Sequence, residues 1–223
     1  MNPKLAHLYS LYAASGFDKQ QTLVELLGGK HDWDFNMESG TITFNGTHSF
    51  PVQIIGTEST ASKTWLWSWA NAESGIPEQL VAAARKLKAF GGEHQIDELK
   101  APQLRLGEVD GMVLSTIATG LTRGDACYRG PYDGGALYVV LQSPALRAKA
   151  DASPQHIVSI FAQVIAAVPV DHRKAWKAYL EQKGYRVAEE AGRVVGTSPK
   201  GERVMAKFDA RGRAIDIGAT IAP

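Results

Sequence analysis

The segment "TWLWSWAN", residues 64–71, places Trp65, Trp67 and Trp69 on alternating positions, and this spacing restricts the fold more than any other feature of the chain. On a β-strand, residues two apart share a face, so the three indoles form one row with Leu66, Ser68 and Ala70 behind it. On a helix the same spacing turns Trp67 away from the other two. At about 150–250 Å² per tryptophan the row presents roughly 450–750 Å², at or above the apolar patch of roughly 300–600 Å² that a typical soluble monomer exposes. It therefore needs a cover: a helix of the same domain (residues 76–90 or 18–28), a small apolar or aromatic ligand, or a partner protein. Each buried indole N–H also needs an acceptor.

The flanking patterns are those of an α+β chain. Leu5, Leu8, Leu11 and Tyr12 recur at three- and four-residue spacings after Pro3, predicting a helix that Gly16 ends. A second helix is expected from Asp18, as its N-cap, through Leu23, Leu26 and Leu27 to Gly28. The period then changes to two: Trp33, Phe35 and Met37 alternate with polar residues, as do Ile42 and Phe44, and residues 50–55 precede the tryptophan segment. A helix followed by a four-strand antiparallel meander is the expectation. Helices are also predicted over residues 76–90, stopped by Gly91, and over residues 108–119, while "DACYRGPYDGGALYVVL" reads as a hairpin turning through Gly130–Gly135.

Two prolines and small or polar residues in "SPALRAKADASPQ" mark a boundary, dividing the chain into domains 1–150 and 151–223. Beyond it, Ile157, Ile160, Phe161, Val164 and Val168 predict a helix ended by Pro169, and Asp171 caps another that contains Trp176, Tyr179 and Leu180. Four alternating strands follow, separated by Ala191-Gly192, "SPKG" and "DARG". The order of elements after Asp18 matches that after Asp171. The expected fold is thus two helix-plus-four-strand antiparallel sheet units, similar to the helix-gripped sheets of cystatin-like folds.

Composition narrows the functional classes. The chain has 223 residues, 44% of them hydrophobic, enough for a real core and against disorder. A net charge of +1 gives no reason to expect a nucleic-acid or membrane partner. Residues 171–223 do hold eleven Lys or Arg against seven Asp or Glu, but few aromatics are interleaved with them. The single cysteine, Cys127, excludes an internal disulfide, and "MNPKLAHLYSLYAASGF" has polar interruptions where a signal or membrane segment is continuously apolar, so a cytoplasmic setting is expected.

No catalytic constellation stands out. The six histidines lack metal-ligand spacing, "HDWD" at His31–Asp34 being the nearest approach, and the glycine pairs do not form a phosphate loop, so neither metal nor cofactor is expected. Cys127 would need a histidine brought in by the fold to act as a nucleophile, and a lone cysteine ordinarily behaves as a small buried hydrophobe. The residues favour a non-enzymatic small-molecule-binding module in which Trp65, Trp67 and Trp69, with Trp33, line an aromatic cavity that Arg129 and Tyr132 of the "RGPYD" turn close at one end. The alternative is a protein-interaction module of the immunity type, neutralising a partner such as a bacterial toxin. A Cys127-dependent enzyme is a third, minor reading.

The combination of "QIIGTES", "TWLWSWAN", "PEQLVAAARKLKAFG" and "DACYRGPYDGGALYVVL" resembles a bacterial family of unknown function over residues 17–145. The resemblance implies a shared domain with that boundary. It carries over no reaction, cofactor or catalytic residue, and residues beyond about 150 lie outside it.

Overall fold

The structure, a computed structural model, describes residues 1–190 and 192–220; Ala191, expected in a turn with Gly192, lies outside them. Two compact units form, one from residues 1–5 and 19–149 and the other from residues 6–18 and 150–223. The division after residue 149 lies beside the expected boundary, but residues 6–18, expected in the first domain, belong to the second unit.

Where two N-terminal helices were expected there is one, α1 (Pro3–Leu27). Gly16 does not end it. A glycine inside a helix costs roughly 1 kcal/mol relative to alanine, yet Ala13, Ala14, Ser15 and Gly16 are all buried, and small side chains there allow close packing. The N-cap is Asn2, whose side chain accepts the Lys4 amide, and Gly28 closes the helix in the left-handed conformation at φ 69°.

The first unit is built on seven antiparallel strands rather than four: β1 (Trp33–Asn36), β2 (Thr41–Phe44), β3 (His48–Ser59), β4 (Thr64–Trp67), β5 (Gln103–Arg105), β6 (Ala126–Tyr132) and β7 (Gly135–Leu141). Strand β3 is its axis. Residues 48–51 pair with β2, residues 56–59 with β4, and the stretch from Val52 to Ser59 with β7. The apolar alternation stops at Ile55, but Gly56–Ser59 stay in the sheet because strands on both sides take up their backbone groups. Around the sheet lie α2 (Glu78–His94), α3 (Asp97–Lys100), α4 (Gly111–Leu121) and α5 (Pro144–Lys149). Helix α2 runs through Gly91, its expected stop, because Gly91 lies against α3: a Cβ there would be 2.5 Å from Leu99 Cβ. Leu23 and Leu27 of α1 join Ile42, Phe44, Phe50, Val52, Val139 and Leu141 in one apolar core.

The second unit follows its pattern closely. Helices α6 (Pro154–Ala167) and α7 (His172–Gln182) are N-capped by Ser153 and Asp171. Strands β8 (Arg186–Glu190), β9 (Arg193–Thr197), β10 (Arg203–Phe208) and β11 (Ala214–Thr220) form an antiparallel meander. Ile160, Phe161, Trp176 and Leu180 meet Val194, Val204 and Ala206 of the sheet, and Ala13 and Ala14 of α1 complete the core. The chain is α+β, and among the described residues no helix is long and apolar enough to cross a membrane.

Candidate functional site

The tryptophan row breaks after its second member. Strand β4 ends at Trp67, and Ser68–Ala70 form a 3-10 turn that takes Trp69 off the strand face. Buried Ser68 holds the turn by donating to the Ile54 carbonyl at 2.6 Å. Trp65 and Trp67 are 0% exposed and meet edge to face, ring centroids 5.4 Å apart. Trp67 donates its indole N–H to the Glu98 carbonyl of α3 at 3.0 Å. Trp65 Nε1 and Trp69 Nε1 are buried and meet no acceptor among the described residues. Trp69 is half-buried beneath Lys88 of α2, whose Nζ lies 3.9 Å from the ring centroid. Trp65 and Trp67 are thus core, and their covers are the protein's own groups.

Trp33 and Arg129 are brought together elsewhere. They line an open depression of about 780 Å³ with Lys30, His31, Asp32, Asn45, Tyr128 and Pro131, within the usual size of ligand pockets, about 300–1,000 Å³. One wall is the segment between α1 and β1; the other is β6, whose only strand partner among the described residues is β7. Trp33 reaches β6 at Gly130, where a Cβ would lie 2.9 Å from its ring, so glycine is what lets the indole settle on the strand. Tyr128 stands edge-on to it with centroids 6.1 Å apart. His31 Nδ1 is 3.1 Å from the Gly29 carbonyl and must carry the proton there, leaving Nε2 to accept from the Tyr128 hydroxyl at 3.2 Å. Burial raises the Tyr128 pKa, keeping the phenol a donor. The Asn45 backbone amide donates to the Asp32 carbonyl and the Asp32 amide donates to Asn45 Oδ1, both at 3.1 Å, which fixes the loop.

Arg129 is anchored from behind. Its Nε donates to the Tyr138 hydroxyl at 3.1 Å, which in turn donates to Glu58 at 2.6 Å. Burial, then the Glu58 carboxylate, drives the Tyr138 pKa upward. Tyr132, the remaining expected site residue, is 49% exposed at the end of β6, beside Pro131.

A family of unknown function, DUF6882, matches residues 6–144, more than half of the chain. The chain belongs to that family. No curated protein and no solved structure matches it. The DUF6882 match contains the whole depression, from Gly29 to Pro131, and most of the first unit, while residues 145–223 lie outside it.

The sole thiol of this DUF6882 chain is buried. Cys127 is 2% exposed, and burial pushes its pKa up to about 11, which suppresses the thiolate a nucleophile needs. Among the described residues no three His, Cys, Asp or Glu side chains gather to hold a metal, and His31 of "HDWD" bonds Tyr128 instead. Sequence reasoning missed the polar cluster around Asp18, which is not a cap but a buried carboxylate inside α1. It accepts from His156 Nε2 at 2.6 Å, Lys183 Nζ at 2.7 Å and the Tyr179 hydroxyl at 3.0 Å. His156 Nδ1 lies 3.8 Å from the Asp151 carboxylate. Burial, then Asp18, raises the Tyr179 pKa. This arrangement locks α1 to α6 and α7. Its members are 138, 161 and 165 residues from Asp18, and no local pattern announces such a pairing.

Proposed function

We propose that the family domain is a non-enzymatic small-molecule-binding module whose ligand occupies the depression beside Trp33 and Tyr128. What carries the reading is that these rings line an open depression, whereas Trp65 and Trp67 are sealed in the core. Aromatic faces with a few fixed polar groups suit a planar aromatic ligand. Lys30 and Arg129 against Asp32 favour an acidic substituent over a basic one.

The test is fluorine NMR of the 5-fluorotryptophan-labelled chain, with Trp33 assigned by Trp33→Phe, against a set of small aromatic acids. Saturable movement of the Trp33 signal, with Trp65 and Trp67 unmoved and the response lost in Arg129→Ala, is expected. Movement of the core signals alone would sink the reading. A second reading, a protein-interaction module, draws on half-exposed Tyr132 at the end of β6, since Trp, Tyr and Arg dominate interface hot spots. A Trp33 signal that ignores every small acid but broadens when a partner protein is added would favour it.

A further inference from the structure

A second depression, of about 500 Å³, lies in the unit formed by residues 6–18 and 150–223, between Val170–Arg173 and Arg211–Arg213. Its lining residues include Arg173, Arg211, Arg213 and His172, with Asp171 as the one acidic residue among them. That carboxylate is already committed: it accepts the Lys174 amide at 3.0 Å and pairs with Lys174 Nζ at 2.8 Å.

The basic groups are held ready. Arg213 Nε donates to Asp209 at 2.8 Å, and Arg173 lies 3.4 Å from Glu189 with its guanidinium over the Phe208 ring. Asp209 also accepts the amides of Arg211 and Arg213, both at 2.9 Å, which shapes the β10–β11 turn. Among the described residues the Arg211 guanidinium has no ion-pair partner. His172 Nδ1 accepts the Ala214 amide at 3.2 Å, so Nε2 bears the proton and meets no acceptor among the described residues.

We propose that this depression binds the phosphate of a small phosphomonoester. One arginine fork satisfies a carboxylate, with its two oxygens and single charge. Arg213 is paired with Asp209 and Arg173 with Glu189, but the N–H groups these pairs leave unused, the whole Arg211 fork and an imidazole N–H exceed that need, and match the three acceptor oxygens of a phosphomonoester. The surplus of basic residues in 171–223, eleven against seven, points the same way.

The experiment is a titration of the full ¹⁵N-labelled chain with inorganic phosphate, glycerol phosphate and benzoate at constant ionic strength. Saturable shifts confined to the amides of residues 170–173 and 211–213 are expected with both phosphates, at least about tenfold weaker in Arg211→Gln and weak or absent with benzoate. Arg211 is exposed, so the variant should keep the wild-type melting temperature and spectrum. Benzoate binding as tightly as phosphate, unchanged affinity in Arg211→Gln, or shifts spread equally over Arg186, Arg193 and Arg203 would each overturn the proposal.

Discussion

Trp65 and Tyr138 stand on the two strands that flank β3 and meet over Gly56, their ring centroids 5.1 Å apart at 63°. Gly56 is central to this contact. A Cβ there would lie 2.5 Å from Trp65 Cζ2 and 2.5 Å from the Leu66 carbonyl oxygen, one of them backbone that cannot swing aside. Gly56→Ala is therefore expected to destabilise the chain by about 1–3 kcal/mol through overpacking. Urea denaturation with an unchanged m-value checks this; a neutral substitution would mean that the two rings part freely.

The two core tryptophans differ in one bond. Trp67→Phe leaves the Glu98 carbonyl without its donor, whereas Trp65→Phe removes an N–H that meets no acceptor among the described residues. Trp67→Phe should cost more, by roughly 1 kcal/mol. Equal losses in parallel denaturation curves would remove the Trp67–Glu98 bond from the account.

Asp18→Ala strips the shared acceptor from Lys183, Tyr179 and His156, with Lys183 only 11% exposed and left as an uncompensated charge. A loss of about 3–5 kcal/mol is expected. Thermal unfolding measures it. A change below about 1 kcal/mol, the range of exposed pairs, would mean that Lys183 and His156 reach water and that the cluster is no lock.

Cys127 gives a pH dependence whose sign follows from its burial. Its folded pKa, about 11, lies above the ordinary thiol value of 9.0, so the unfolded chain loses the proton first. The thiol's contribution is whole below pH 9.0 and disappears as pH rises through about 11. Over that window wild type should lose stability relative to Cys127→Ala. In the native chain at pH 8 the thiol should also resist iodoacetamide, with labelling that follows unfolding. Fast native labelling, read by mass spectrometry, would refute the burial argument.

The elements legible from sequence were those whose determinants are local. Ser153 and Asp171 cap their helices within three residues, and β8–β11 alternate between turns, so the second unit's helices and meander could be read directly. Gly16 and Gly91 look like helix stops, but both helices continue: Gly16 is buried inside α1, and at Gly91 the close approach of Leu99 requires the missing side chain. At the candidate site Trp33 and Arg129 were legible as an aromatic and a cation near turns. The pairing of His31 with Tyr128 was not, because that bond joins residues 97 apart.

The sequence by itself determined the α+β class, the Asp171 cap and the need to bury Trp65 and Trp67, since hydrophobic period, capping chemistry and indole area act over a few residues. Only the tertiary structure decided that β3 carries β7 and β4 as well as β2, that Trp69 leaves the strand, and that Trp33 remains at the surface. Those outcomes depend on which distant backbone and side-chain groups satisfy one another once the chain is compact. Spacing along the chain carries no record of that choice.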